Sequence, residues 1–208
     1  MMQPVDYDTW PRREVFDFFS GVSNPFYNVT FKVDVTRLYA FIKARHISFY
    51  YALVYLATKA VNSVENFRYA LNQGKLVLLD RRLPSFTDLH PGSEIFHIVN
   101  MPCEGTLEEF CRAAAEKSRA QTTLFSQEDS PDLIYFSCLP WVELTALTNE
   151  RDFDPDDTVP RITWGKYTVE GTCRVLHMSL EVNHRFIDGL HIGRFCEALT
   201  VSIQALKY

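Results

Sequence analysis

The chain has 208 residues, of which 47% are hydrophobic, enough to bury a substantial core as one domain spanning residues 1–208. The net charge is −5, the pI is near 5.7 and no run of Lys or Arg stands out. Neither nucleic acid nor a membrane is therefore expected as a partner. A polyanionic cofactor remains compatible, because it needs only a few well-placed cations.

The cysteines and the N-terminus indicate the compartment. The cysteines are scattered without a C-x-x-C pair, which predicts free thiols in a reducing environment. The first sixteen residues lack the apolar core of a signal peptide, and no apolar run approaches membrane-spanning length. We therefore expect a cytoplasmic protein. The five cysteines are Cys103, Cys111, Cys138, Cys173 and Cys196.

Patterning in the first half predicts strands, two helices and a hairpin. Thr36 is placed to cap a helix that continues to about Ala44. Residues 51–63 are apolar nearly all round, which predicts a mostly buried helix. Asn72-Gln73-Gly74 is typical of a hairpin turn. The strands expected here are Val29–Val35, Phe67–Leu71, Lys75–Leu79, Phe86–Leu89 and Glu94–Val99.

The second half predicts further strands between two helices. Thr106 begins a capping box, with Glu109 at its third helical position, and that helix should continue to about Ala120. The last helix should begin near Leu190. Because helices and strands intermingle without strict βαβ repetition, we expect a two-layer α/β sandwich, a mixed sheet with helices packed on one face. The strands expected here are Leu133–Cys138, Val142–Thr148, Arg161–Thr168 and Cys173–His184.

The last predicted strand ends on a histidine. Its even positions from 176 to 182 are apolar and its odd positions from 177 to 183 are polar. Since side chains alternate across a strand, His184 is predicted to lie on the apolar face. Desolvation there disfavours the charged imidazole, and a neutral imidazole can act as a general base.

A purely structural interpretation of the same residues stays open. Asp188 can be a helix N-cap, Gly189 can ease the turn, and His184 can be a hydrogen-bonded core histidine. A metal site is not expected, because no second His or Cys stands at ligand spacing nearby. His191, one turn into the helix, is expected at the surface or in an interface.

The pattern H-x-x-x-D-G before a C-terminal helix resembles the CoA-dependent acyltransferase superfamily. Taken alone, Asn183-His184-Arg185-Phe186-Ile187-Asp188-Gly189 most resembles the acyltransferase cores of 2-oxoacid dehydrogenase complexes. Chloramphenicol acetyltransferases usually have a second His and a Cys where this chain has Asn183 and Ile187. Peptide-synthetase condensation domains, the third relative, are about twice as long.

The rest of the chain resembles the chloramphenicol acetyltransferase family, in the right order and over nearly its whole length. Trp10 to Phe16 is similar to the family opening W-x-R-R-E-x-F. Other matching stretches are Lys32-Val33-Asp34-Val35-Thr36, Ser48-Phe49-Tyr50, Ala60-Val61-Asn62, Thr122-Thr123-Leu124-Phe125, Leu139-Pro140-Trp141-Val142 and Ile162-Thr163-Trp164-Gly165-Lys166-Tyr167.

This resemblance implies an enzyme that moves acetyl from acetyl-CoA directly to an acceptor hydroxyl. Homotrimers are implied, with active sites between subunits and no metal. His184 matches the general base, and Asp188 matches a structural aspartate that pairs with an arginine at Arg12. Thr163 matches a threonine that helps to bind the tetrahedral intermediate.

Further site residues are implied by the same alignment. Lys166, Tyr167 and Thr145 are expected to contact CoA. The acceptor is expected to contact Phe18, Phe19, Tyr27, Phe96 and Arg161. Arg161 replaces an aliphatic pocket residue of the family, and Ser23 replaces an apolar contact. An arginine there favours a polar or anionic group over a nitroaromatic, so chloramphenicol is expected to be a poor or non-natural acceptor.

One departure affects catalysis. Ala146 stands where the family has a serine that stabilises the oxyanion, and losing such a donor costs roughly 100- to 1,000-fold in rate. Thr145 or Thr148 could substitute, although a one-residue slip of a strand reverses its faces. A different hydroxyl acceptor, or a scaffold protein weakened in catalysis, therefore remains as an alternative.

Overall fold

The computed structural model describes residues 2–125, 130–152 and 154–207, and its helices and strands alternate irregularly along this part of the chain. The helices are Arg13–Ser20 (α1), Thr36–Arg45 (α2), Phe49–Ser63 (α3), Leu107–Ala120 (α4) and Gly189–Gln204 (α5). The strands are Met2–Pro4 (β1), Phe26–Asp34 (β2), Tyr69–Asn72 (β3), Lys75–Leu79 (β4), Leu83–Leu89 (β5), Phe96–Asn100 (β6), Leu133–Leu139 (β7), Arg161–Gly165 (β8), Thr168–Glu170 (β9) and Cys173–Asn183 (β10).

The main sheet is mixed, as predicted. Its strands follow the order β2-β10-β8-β7-β5-β6, with β9 paired to β10. β5, β7 and β8 are parallel, whereas β10 is antiparallel to its neighbours and β6 is antiparallel to β5. Helix α3 contacts α2, α4 and α5 and lies on β5 and β7, which gives the expected two layers. A small sheet, β1-β4-β3, stands apart.

Strand β10 is buried on both faces. Its even positions from Leu176 to Val182 are at most 1% exposed and join the helix-side core. Its polar positions Ser179, Glu181 and Asn183 are also buried, because residues 147–152 and 154–157 cross that side and bond to them. Burial of these polar positions was not predicted, because alternation of apolar and polar residues is typical of a sheet with one solvated face.

A row of hydroxyl side chains crosses the sheet on the face opposite the helices. Thr163 of β8 is in register with Ser137 of β7 on one side and with Ser179 of β10 on the other. Ser179 is in turn opposite Thr30 of β2, and the Ser137 hydroxyl accepts from Thr87 at 3.5 Å. This row places polar groups along the floor of the region where the site is found.

Local turn and capping chemistry is mostly as predicted. Thr106 and Glu109 form a complete capping box, and Gln73 and Gly74 both have positive φ, as a two-residue type I′ hairpin requires. The prediction that Thr36 is the N-cap of α2 is wrong. Thr36 is already helical, its N–H donates to Asp34, and its hydroxyl accepts from the Arg174 N–H at 2.7 Å.

Two predicted strands are corrected. Val142–Thr148 is not a strand: it passes over Gly165, where a Cβ would lie 2.6 Å from the Leu144 nitrogen, and this approach replaces ladder pairing. The predicted Arg161–Thr168 divides into β8 and β9, because the chain leaves β8 after Gly165. The other strands are present, with ends shifted by up to three residues.

A fully buried arginine fastens several segments together. Arg82 donates to the carbonyls of Phe67, Tyr69, Pro131, Leu133 and Thr158. Burial lowers the pKa of its guanidinium to about 9, so the group is still charged at neutral pH. Arg82 thereby holds residue 158 beside the start of β7, which fixes one end of the segment that covers β10.

The described residues include no helix that is long and apolar enough to cross a membrane. The same residues contain no group of three or more His, Cys, Asp or Glu that could hold a metal ion. All five cysteines lie in the described ranges and carry free thiols.

Candidate active site between the last strand and helix

His184 lies in the turn that joins β10 to α5. The ladder with β2 ends at the pair Asn183 and Phe26, and the His184 N–H then donates to the Pro25 carbonyl at 2.8 Å. The predicted strand is therefore one residue too long, and His184 belongs to the turn that follows it.

Two aromatic rings pack against the imidazole of His184. The Phe19 ring stacks on His184 with a centroid separation of 3.9 Å, and the Tyr27 ring lies at 4.3 Å. Burial lowers the pKa of His184, the positive charge of Arg12 lowers it further, and Asp188 opposes both only in part. The ring is therefore neutral near pH 7 and able to accept a proton.

Arg12 fixes the backbone of this turn. Its Nε donates to the Arg185 carbonyl at 2.9 Å, and its Nη2 donates to the His184 carbonyl at 3.1 Å. Its Nη1 donates to Asp188 Oδ2 at 2.8 Å, which is the predicted ion pair. One guanidinium therefore uses all three of its nitrogens on the turn that carries His184.

Asp188 combines two roles. One oxygen pairs with Arg12, and the other caps α5 by accepting from the Leu190 N–H at 3.1 Å. Burial raises the pKa of the carboxyl, but the Arg12 bond and the other partners outweigh this and hold it below its usual value. The structural interpretation of Asp188 as an N-cap is thus correct, and it coexists with the ion pair.

His191, expected at the surface or in an interface, is instead buried within the chain. Its Nδ1 accepts the Asp188 N–H at 3.1 Å and completes a capping box. Burial lowers the pKa of His191 more than Asp188 raises it, which keeps Nδ1 unprotonated for this bond.

A large cleft, of about 890 Å³, lies on the hydroxyl-bearing face of the sheet. Thr163, Arg161 and Phe96, three of the predicted site residues, line it. Asp88 also lines it, and accepts from the Tyr51 hydroxyl at 2.5 Å. The aromatic lining residues are Tyr50, Tyr51, Phe96, Tyr135, Phe136 and Trp141.

Four charged side chains form a buried chain beside this cleft. Glu181 pairs with Arg151, Arg151 pairs with Asp157 at 2.5 Å, and Asp157 pairs with Arg161 at 2.9 Å. Burial raises the pKa of Glu181, but Arg151 and Asn149 outweigh it and hold the pKa below its usual value. The Arg161 charge, predicted to face the acceptor, is therefore compensated by Asp157.

The predicted site residues lie in two separate regions of the chain's surface. His184, Asp188, Arg12, Phe19 and Tyr27 gather around the turn, with Phe18 70% exposed beside them. The large cleft receives Thr163, Arg161 and Phe96, and His184 does not line it. Lys166, Tyr167, Thr145 and Ala146 do not line it either.

Sequence analysis missed Asn149, which lines the cleft, and the Glu181–Arg151–Asp157 part of the charged chain. A signal was available for Glu181. Glu181 is a charged residue on the polar side of a predicted strand, between two apolar residues. An acidic segment that also contains arginine precedes that strand in the chain.

Replacing Arg12 with Met should lower the free energy of unfolding at pH 7 by about 2–4 kcal/mol, because two carbonyls and a carboxylate lose a charged donor. The loss should shrink below about pH 4, since a carboxyl with a depressed pKa contributes stability only while ionised. Urea unfolding at several pH values measures both effects. Arg13→Met is the control, because Arg13 makes only exposed pairs; equal losses in the two variants would contradict the clamp.

A family model described as chloramphenicol acetyltransferase matches residues 1–200. Chloramphenicol acetyltransferase 3 of Escherichia coli is 31% identical over 199 residues, which cover 93% of each chain. A chloramphenicol acetyltransferase of Streptomyces acrimycini is 34% identical over 202 residues, covering 94% of this chain and 91% of the relative.

Solved structures give the same result for the fold. One chloramphenicol acetyltransferase superposes with a TM-score of 0.85 at 23% identity, covering 98% of this chain and 100% of its own. The cubic core of a pyruvate dehydrogenase multienzyme complex gives 0.67 at 18% identity, covering 97% and 96%. This chain belongs to the chloramphenicol acetyltransferase family.

Proposed function

We propose that this protein transfers acetyl from acetyl-CoA to the hydroxyl of a small molecule, as a chloramphenicol O-acetyltransferase-type enzyme with His184 as general base. The observation that carries the proposal is the geometry around His184, whose imidazole contacts the Phe19 and Tyr27 rings on a turn that Arg12 holds. Burial there lowers the pKa of His184, which favours the neutral imidazole that a base needs. The curated relatives that cover nearly the whole chain bear the name of this activity.

The proposed reaction balances with one base. A neutral nitrogen of His184 takes the acceptor hydroxyl proton as its oxygen attacks the thioester carbonyl carbon. The tetrahedral intermediate collapses, the C–S bond breaks, and the thiolate takes the proton from the imidazolium. The products are the acetate ester and CoA, and no acyl-enzyme forms.

The other site residues have supporting roles in this proposal. Arg12 and Asp188 position the base through the turn and do not touch the substrate. Thr163, 2% exposed at the floor of the cleft, helps to bind the intermediate. For CoA, Lys166 is an exposed cation beyond the end of β8, suited to a phosphate. Its N–H donates to the Val142 carbonyl at 2.7 Å, which brings the segment that carries the exposed Thr145 close to it. Tyr167 is partly committed elsewhere, because it packs on Tyr39 and Phe49.

A homotrimer with sites between subunits is part of the proposal. In one chain the base and the large cleft are separate, so a complete site calls for His184 of one copy and the cleft of another. Large side chains on both parts are exposed, such as Phe18 at 70% and Trp141 at 75%. The free cysteines and the use of acetyl-CoA support placing this oligomer in the cytoplasm.

Sedimentation equilibrium of the purified protein should give three times the 24.1 kDa chain mass. Burial of the exposed rings between copies is the physical reason for association. A monomer that turns over acetyl-CoA at full rate would contradict the shared site.

The acceptor should differ from chloramphenicol, because Arg161 brings a guanidinium into the cleft wall over the Tyr135 ring. Arg161→Ile should raise kcat/KM for chloramphenicol roughly tenfold, since an aliphatic wall suits a neutral nitroaromatic better. Asp157 keeps Arg151 as a partner in this variant. Thiol release from acetyl-CoA measures the change, and efficient turnover of chloramphenicol by the wild type would contradict the altered pocket.

His184→Ala should lower kcat by roughly 100- to 10,000-fold in the same assay, across a panel of hydroxyl acceptors, because the general base is removed. His177→Ala, on β10 and outside the site, is the control. A wild type as inert as His184→Ala toward every acceptor would leave only a binding or scaffold role, and activity with dihydrolipoamide alone would indicate a dehydrogenase-type acyltransferase.

A further inference from the structure

The large cleft is lined by the side-chain amide of Asn149, and Glu181, which is buried beside the cleft, fixes the orientation of this amide. We propose that the side-chain Nδ2 of Asn149 donates a hydrogen bond to the oxyanion of the tetrahedral intermediate, which makes Asn149 a catalytic residue. The inference rests on the proposed acyl transfer and supplies a donor that the chain lacks at Ala146.

Acyl transfer needs such a donor, because negative charge develops on the thioester carbonyl oxygen. Ala146 has no hydroxyl, and Thr145 and Thr148 are exposed residues that do not line the cleft. From this stretch, Asn149 and Glu150 are the described residues that reach the cleft wall. A carboxylate cannot stabilise an oxyanion, so Asn149 is the donor that the stretch offers.

Glu181 sets the orientation of the Asn149 amide. Its Oε2 accepts from both the backbone N–H of Asn149, at 3.0 Å, and Nδ2, at 3.2 Å. On the other side, Asn149 Oδ1 accepts from the Thr163 hydroxyl at 3.4 Å. The reversed amide would bring Oδ1 against a carboxylate, which is repulsive. Nδ2 has two hydrogens, and among the described residues only Glu181 accepts one of them, so the second is available to a ligand.

The charge behind the amide is balanced. Glu181 pairs with Arg151, which also pairs with Asp157, and Asp157 pairs with Arg161. Two arginines and two carboxylates sum to zero, so the support does not repel an oxyanion. Arg151 and Glu181 are 7% and 6% exposed, so the pair that orients the half-buried Asn149 amide is itself shielded from water, and the donor is preorganised.

Several other polar groups of the cleft are already committed. The Tyr50 hydroxyl donates to the Thr87 carbonyl at 2.7 Å, the Tyr51 hydroxyl donates to Asp88, and Arg161 donates to Asp157. Ser137 is the main competitor, because its hydroxyl accepts from Thr87 at 3.5 Å and has a proton of its own to give. It lacks a charged group behind it to fix its direction.

Asn149→Ala should lower kcat roughly 100-fold, with the KM for acetyl-CoA changed by less than about threefold. The assay uses acetyl-CoA and whichever acceptor of a hydroxyl panel the wild type acetylates fastest, and urea midpoints verify folding. Thr148→Ala should match the wild type. Ser137→Ala should lose far less than Asn149→Ala, and the opposite order would overturn the proposal.

Ala146→Ser provides an independent test at an exposed position that tolerates substitution. Because residue 146 does not line the cleft, the new hydroxyl should change the wild type by less than about threefold and should not rescue Asn149→Ala; a rescue to near the wild-type rate would overturn the proposal. A gain of tenfold or more in the wild-type background would show an empty oxyanion site and overturn the role of Asn149. If the wild type and Ala146→Ser are both inert, the proposed function itself fails.

Discussion

The arrangement of this site depends on one guanidinium. Arg12 donates to the carbonyls of His184 and Arg185 and to the carboxylate of Asp188, so a residue near the N-terminus fixes a turn near the C-terminus. Because Asp188 also caps α5, the same contact aligns the last helix with the end of β10. The turn cannot move without breaking a charged hydrogen bond, so the backbone that carries His184 is held in place.

The second constraint is that the charged side chains buried beside the cleft are paired with side chains of opposite charge. Arg151, Asp157, Glu181 and Arg161 neutralise one another. Arg82 achieves the same end without a carboxylate, through carbonyls at the edge of this region. Each group would be costly alone, since a buried charge without partners loses its hydration. Together they hold residues 147–152 and 154–158 against β10 and give the cleft a polar wall of fixed shape.

Much of the fold could be predicted from sequence because it follows from local patterns. The capping box at Thr106 and the hairpin at Gln73-Gly74 are decided by neighbouring residues, and both are present. The resemblance through Trp10 to Phe16 and Thr163 added the family and the Arg12 pairing. What failed depends on distant parts of the chain. Val142–Thr148 has a strand's composition, yet Gly165 lets it pass over the sheet without pairing.

The site was predicted only in part, because its geometry also depends on residues that are distant in the chain. Alternation placed His184 on the apolar face, and its ring meets Tyr27, which is opposite Val182 on that face. The strand ends one residue earlier than predicted, and the contact with Phe19 of α1 could not be read from the alternation. The neutral state stays a prediction, and the direction in which burial moves the pKa of His184 agrees with it. No local pattern could indicate Asn149, because its orientation depends on Glu181, a residue far along the chain that is brought close only by folding.

The central claim is that the clamped His184 ring is neutral and ready to accept a proton at physiological pH. NMR titration of the imidazole in the intact protein, assigned by comparison with His184→Gln, tests this most directly. The account predicts a pKa below the ordinary value of about 6.5, as burial and Arg12 both require. A pKa at or above that value would contradict it.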